Sequence, residues 1–146
     1  KKISTSLDLM EKANCASVIS VAVAKAKELK MDKHTDITRW QRVGDAKTGN
    51  GWWLSDIPED PGRLVVFGPN EYTMPHYHSD NEMFTIKQGW CFVLTPAPND
   101  GISVTKAIDC IVIPRADIHQ VIAGDLGVVL YANSKRTGVT EYVDFK

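Results

Sequence analysis

From Thr38 onward the chain never sustains a helical repeat: apolar or alternating runs of four to seven residues are cut repeatedly by Gly, Pro, Asn and Asp. That rhythm is the signature of an antiparallel sandwich or barrel. Eleven candidate strands follow: Trp40–Val43, Gly51–Leu54, Arg63–Phe67, Tyr72–His78, Glu82–Lys87, Trp90–Leu94, Ser103–Ala107, Cys110–Ile113, His119–Ile122, Val128–Ala132 and Glu141–Phe145. Turn chemistry separates them at Thr48-Gly49-Asn50-Gly51, Glu59-Asp60-Pro61-Gly62, Pro96 to Gly101 and Gly124-Asp125-Leu126-Gly127.

The first thirty residues read differently. Thr5 with Asp8 three positions on resembles a capping box, helix formers run to Leu29, and Lys25, Lys27 and Lys30 sit where the helix dipole favours positive charge. Leu7, Met10, Val18, Val21, Ala22 and Leu29 make an apolar stripe, although residues 18–23 also read as a strand. The expected organisation is an N-terminal helical extension over residues 1–37, covering a sheet face or an oligomer contact, and a β-barrel over 38–146.

At 146 residues the chain suits one domain with a real core. A formal net charge of -1 gives no electrostatic reason to expect nucleic acid. Three cysteines, Cys15, Cys91 and Cys110, without CxxC spacing suggest neither a disulfide framework nor a thiolate site, so a reducing cytoplasmic setting is expected. The apolar stretch from Cys15 to Ala24 is too short to span a bilayer, and no membrane partner is expected.

Of the four histidines, three, His76, His78 and His119, fall in the strand-rich part beside a well-spaced carboxylate. Residues two apart on a strand share a face, so His76 and His78 point together and Tyr77 points away. After the short turn Ser79-Asp80-Asn81 the chain re-enters an apolar run at Glu82, and pairing of the two strands returns Glu82 to the histidines. Glu82, Phe84 and Ile86 then share the inward face. A carboxylate at the head of an apolar inward row is costly unless paired or coordinated. His119, 37 residues beyond Glu82, opens another strand and supplies a fourth donor. Three imidazoles and a carboxylate suit one divalent transition metal among Fe(II), Mn(II), Ni(II), Co(II) and Zn(II).

The spacing His76-x-His78-x-x-x-Glu82 closing at Gly89 resembles the first cupin motif, and Asp109 to His119, with Pro114, resembles the second. With the strand rhythm, the likeness extends over residues 38–146. It implies a cupin or jelly-roll antiparallel β-barrel, a metal held by His76, His78, Glu82 and His119, and pairing as a homodimer. Departures are Asn70 at the first motif's leading glycine, Ile108 before Asp109, Ala116 in the Pro-x-Gly turn and Ala123 where an asparagine is usual; none removes a ligand.

His34, after a lysine-rich segment with no partner nearby in sequence, reads as a surface or hydrogen-bonded residue. Trp40, Trp52, Trp53, Trp90, Phe67, Phe84, Phe92 and Tyr131 could line a pocket for an aromatic or otherwise apolar substrate, but bulky strand residues are usually core and each is expected there, with Phe84 the aromatic to watch for its place beside Glu82. Arg63, Arg115 and Gln120 are kept outside the site as solvated strand-end residues. The resemblance implies an enzyme acting on a small oxygen-rich or enolisable molecule, first an iron-dependent dioxygenase in which Glu82 is both ligand and base. The alternatives are a redox-neutral isomerase, lyase or cyclase, and a binding module without catalysis.

Overall fold

The computed structural model describes residues 20, 22–44, 50–134, 139–143 and 145. Within them the strands are β1 (Trp40–Gly44), β2 (Gly51–Ser55), β3 (Gly62–Phe67), β4 (His76–His78), β5 (Glu82–Pro96), β6 (Ile102–Ala107), β7 (Cys110–Ile113), β8 (Gln120–Asn133) and β9 (Thr140–Tyr142). Seven form an antiparallel sheet in the order β1-β2-β3-β8-β5-β6, with β7 also paired to β5, while β4 and β9 form a separate two-stranded ribbon.

Most candidate strands appear near their expected bounds, with three differences. Glu82–Lys87 and Trp90–Leu94 are halves of the single strand β5. His119–Ile122 and Val128–Ala132 fall within one stretch ending in β8, so Gly124 to Gly127 is not a hairpin turn. Register shifts between Ile86 and Gln88 and between Gly89 and Cys91 bend β5. They also move the inward face from Phe84 and Ile86 to Cys91 and Val93, a parity change that a bulge produces. The expected strand Tyr72–His78 is regular only at its end. Its earlier part runs beside β8 through bonds from Thr73 N to Val121 O, 2.9 Å, and from Ala123 N to Glu71 O, 2.8 Å.

Alternation along β3 and β8 produces two apolar layers. Val65, Phe67, Val121, Leu130 and Ala132 face the barrel interior with Phe84 and Val93. Leu64, Val66 and Val129 face the other way, where Ala22 and Ala26, four apart on the helical segment 22–28, pack on them with Trp40. This much of the N-terminal segment covers a sheet face as expected; Thr5, Asp8, Leu7, Met10, Cys15, Val18 and Val21 lie outside the described residues.

Of the two readings given for His34, surface or hydrogen-bonded, the structure shows the second. His34 is wholly buried, its Nδ1 2.7 Å from Ser55 Oγ and its Nε2 2.7 Å from Asp60 Oδ2. Its carbonyl accepts from Trp40 Nε1 at 3.1 Å, and Asp60 also accepts from Tyr131. The partners lie 21 and 26 residues away, which is why the local sequence gave no sign of them. The network satisfies every polar group it buries and pins the turn Asp32–His34 to the sheet.

Both of the motif departures at Asn70 and Ala116 sit at positive φ, 61° and 67°. Asparagine tolerates that conformation; alanine pays for it through its Cβ. Ala116→Gly is therefore expected to raise the unfolding free energy by about 1 kcal/mol, read as a shift of the urea midpoint at constant slope.

Candidate metal centre

The site forms where the ribbon β4–β9 meets the start of β5 and the entry to β8. His76 and His119 are bonded face to face, His76 N to His119 O at 3.0 Å and His119 N to His76 O at 2.8 Å, so their side chains leave the backbone as neighbours. His78 follows two residues on, and the ring centroids of the three imidazoles lie 4.2 to 5.1 Å apart. One nitrogen from each lies within 4.8 Å of the others. Glu82, paired with Ile113 at the head of β5, turns its carboxylate to two of them, with Oε1 3.0 Å from His78 Nε2 and 3.7 Å from His119 Nε2. The four residues selected by spacing are thus brought together.

Each imidazole has its outer nitrogen tied to an oxygen. His76 Nδ1 faces the Met74 carbonyl at 2.7 Å, His119 Nδ1 the Asp117 carbonyl at 3.0 Å, and His78 Nδ1 the Thr140 hydroxyl at 2.9 Å. A carbonyl only accepts, so Nδ1 of His76 and of His119 carries the hydrogen and Nε2 offers its lone pair. His119 Nε2 is buried with no hydrogen-bond partner among the described residues. An orphaned buried nitrogen normally costs stability, and a metal ion is the partner that a lone pair so placed accepts.

Burial acts on His76 and Glu82 in opposite senses. Burial, reinforced by the neighbouring His119, lowers His76 to about 4. Burial alone would raise Glu82, but the imidazoles of His119 and His78 outweigh it and hold the carboxyl at about 2. At neutral pH the pair therefore presents a neutral imidazole and a carboxylate, the forms that ligate.

The cluster opens on a cavity of about 260 Å³ whose apolar walls include Trp52, Leu54, Phe67, Phe84 and Leu130. Phe84 is buried, its ring 6.3 Å from His119, and Trp52 stacks on Phe67 at 5.6 Å. Trp40 and Trp53, by contrast, pack in the outer layer. Arg63 corrects the sequence reading, because it lines the cavity with Ser134, Asp80, Thr140 and Tyr142. Its Nε donates to Asp56 at 3.1 Å and its Nη1 to Ser134 at 3.0 Å. The signal was available: Arg63 shares strand parity with Val65 and Phe67, the inward residues of β3. Arg115 is exposed, and its backbone N–H donates to Asn81 Oδ1 at 2.8 Å.

No family model and no curated protein matches the chain. Solved structures do. An 11S globulin from Wrightia tinctoria superposes with a TM-score of 0.59 at 12% identity over 72% of this chain and 29% of that one. A single-site variant of Bacillus subtilis oxalate decarboxylase gives 0.57 at 12% identity over 73% and 31%. Peruvianin-I, a cysteine peptidase from Thevetia peruviana latex, gives 0.50 at 16% identity over 58% and 56%. In each case the chain spans little more than half of the matched protein or less. At such identities the likeness speaks to architecture, and it agrees with the strand order and the two motifs: this chain has the cupin fold.

Proposed function

We propose that the protein is a metal-dependent enzyme acting on a small, oxygen-rich or enolisable molecule, first an Fe(II)-dependent dioxygenase. The observation that carries this reading is one arrangement: three imidazoles and a carboxylate gathered together, of which His76, His78 and Glu82 line an apolar cavity large enough for a small organic molecule. The residues to hold the metal are His76, His78, Glu82 and His119. Bound there, a divalent ion supplies Lewis acidity and, when redox-active, access to dioxygen.

The chain's own residues do the rest. The Trp52, Leu54 and Phe67 wall excludes water and holds the carbon skeleton. Arg63, steadied by Asp56 and Ser134, presents its remaining N–H groups to a carboxylate or enolate oxygen. Glu82 is a weak base while the imidazoles hold it at about 2. Moving away from them removes that stabilisation and leaves burial, which raises its basicity, so ligand and base are successive roles. As supporting context, the edge of β6 that pairs with no strand among the described residues, with Ile102 and Val104 exposed, is the surface on which a homodimer would pair.

The experiment is oxygen uptake by the iron-loaded protein with oxalate, 2-oxo acids, 1,3-diketones and catechols. Oxalate belongs in the panel because one matched structure is an oxalate decarboxylase. Dioxygen consumption stoichiometric with substrate is the expected result, with Arg63→Met raising KM about tenfold or more for anionic substrates. Turnover without oxygen uptake would replace the dioxygenase with the redox-neutral isomerase, lyase or cyclase, and tight binding without turnover would leave a binding module.

A further inference from the structure

We infer that the substrate is a carboxylic acid lying across β8 over Ala132, with its metal-chelating oxygens at the histidine cluster and its carboxylate at Arg63, and that Ala132 determines which acids fit. The inference rests on the metal-site reading above and deepens it, because the register of three strands fixes where the two ends of such a molecule stand.

Ala132 pairs with Arg63 of β3 on one side and with Phe84 of β5 on the other, so the three form one row across the sheet, about 10 Å wide over its two interstrand spacings. The next row along is Val65, Leu130 and Ile86. Leu130 fills the centre of that row and is only 1% exposed, whereas Ala132 puts nothing beyond a Cβ at the centre of its own. The result is a slot floored by Ala132 and Leu130 and bounded by Arg63 and Phe84, all four of which line the cavity. Glu82 precedes Phe84 by two residues on the same face of β5 and lines the cavity too. The metal centre therefore stands at the Phe84 end of the slot and the guanidinium at the other.

The two ends select different groups. Among the described residues that line the cavity Arg63 is the one Lys or Arg, and the carboxylates are Asp80 and Glu82. The bonds of Arg63 to Asp56 and Ser134 use two of its five N–H groups and hold the guanidinium in place. With Asp56 paired to it, Arg63 recognises an anion by its fixed fork of donors more than by net charge, and a carboxylate matches that fork. Between the ends, Leu54, Val65, Phe84 and Leu130 present only carbon. The substrate class is therefore a carboxylic acid whose chelating oxygens are separated from the carboxylate by a short hydrocarbon spacer, and not a compact dianion such as oxalate.

The test is calorimetric binding to the full chain loaded with Zn²⁺, with hydroxamates as probes because their paired oxygens chelate a metal. The monohydroxamates of succinic, glutaric and adipic acid place a carboxylate at increasing distance, and alkyl hydroxamates of matched length lack it. One acid of the series is expected to bind about tenfold or more tighter than its alkyl counterpart, and Arg63→Met to abolish that gain. Ala132→Val is expected to weaken that acid about tenfold while acetohydroxamate, which ends short of the slot, stays within about twofold. Should valine not be accommodated, Ala132→Cys, a single atom larger than the wild type, is expected to weaken the acid about threefold. The inference is overturned, with the metal site intact, if acetohydroxamate binds but no acid exceeds its alkyl counterpart by more than about twofold, or if the gain survives Arg63→Met. It is equally overturned if the larger residue at position 132 leaves the affinity for the acid unchanged. If the chain retains no Zn²⁺, or the loaded chain does not bind acetohydroxamate, the metal-site reading itself fails and takes this inference with it.

Discussion

His119→Ala is expected to weaken binding of a divalent transition metal by about a hundredfold or more while the barrel still folds. His119 is the best-defined donor in the cluster: fully buried, its Nδ1 committed to the Asp117 carbonyl and its Nε2 without a hydrogen-bond partner among the described residues. Losing an inner ligand costs more than losing an outer partner, for which ten- to a hundredfold is usual. Folding does not depend on the imidazole, because position 119 is held by its backbone exchange with His76. The consequence is read by linkage. At a metal concentration about a thousandfold above the dissociation constant the wild type gains about 4 kcal/mol of stability, and the variant gains much less. Thermal unfolding with and without metal measures the difference, and His76→Ala is expected to behave alike.

Gly89→Ala carries the second large effect, on stability. Gly89 has φ 76° and closes the bulge that bends β5, and a Cβ there would stand 2.3 Å from the carbonyl oxygen of Gly127. That oxygen belongs to backbone, so relief requires the two long strands to separate where they pair most extensively. Positive φ and the clash together are expected to cost about 3 to 5 kcal/mol, a large part of the stability of a domain this size. Gly101→Ala is the control. Its φ is -83° by strand geometry and a Cβ there meets nothing closer than 3.6 Å, so a change within about 0.5 kcal/mol is expected. Chemical denaturation of both variants gives the comparison.

The same bulge marks where the sequence stopped being legible. Glu82, Phe84 and Ile86 were readable as one inward row because side-chain period two is a local property. Gly89, Gly124 and Gly127 read as breaks between strands, yet two of them, Gly89 and Gly127, take positive φ inside continuous strands. A glycine's identity does not tell a turn from a bulge, since both use the same backbone freedom. The metal-site residues were legible for a related reason: His76, His78 and Glu82 lie within seven residues, and motif spacing supplied His119. What escaped depends on long-range pairing. Thr140 meets His78 across 62 residues and Arg63 meets Ser134 across 71, distances at which local periodicity carries no information. His34 escaped in the same way, through Ser55 and Asp60. Arg63 differs, since its parity with Val65 and Phe67 pointed inward, against the tendency of arginines near strand ends to be solvated. Asn70 and Ala116 were visible as departures from the motif; that both occupy positive φ emerges only from the backbone.

The most direct test of the central claim is the metal content of the wild-type chain after loading with Fe(II), and separately with Zn(II), and removal of free ion, measured by elemental analysis. The geometry predicts one equivalent per chain, reduced to under about a tenth in His119→Ala. Wild-type protein that retains no metal, or retains the same amount with His119 replaced, would contradict the assignment of His76, His78, Glu82 and His119 as a metal centre.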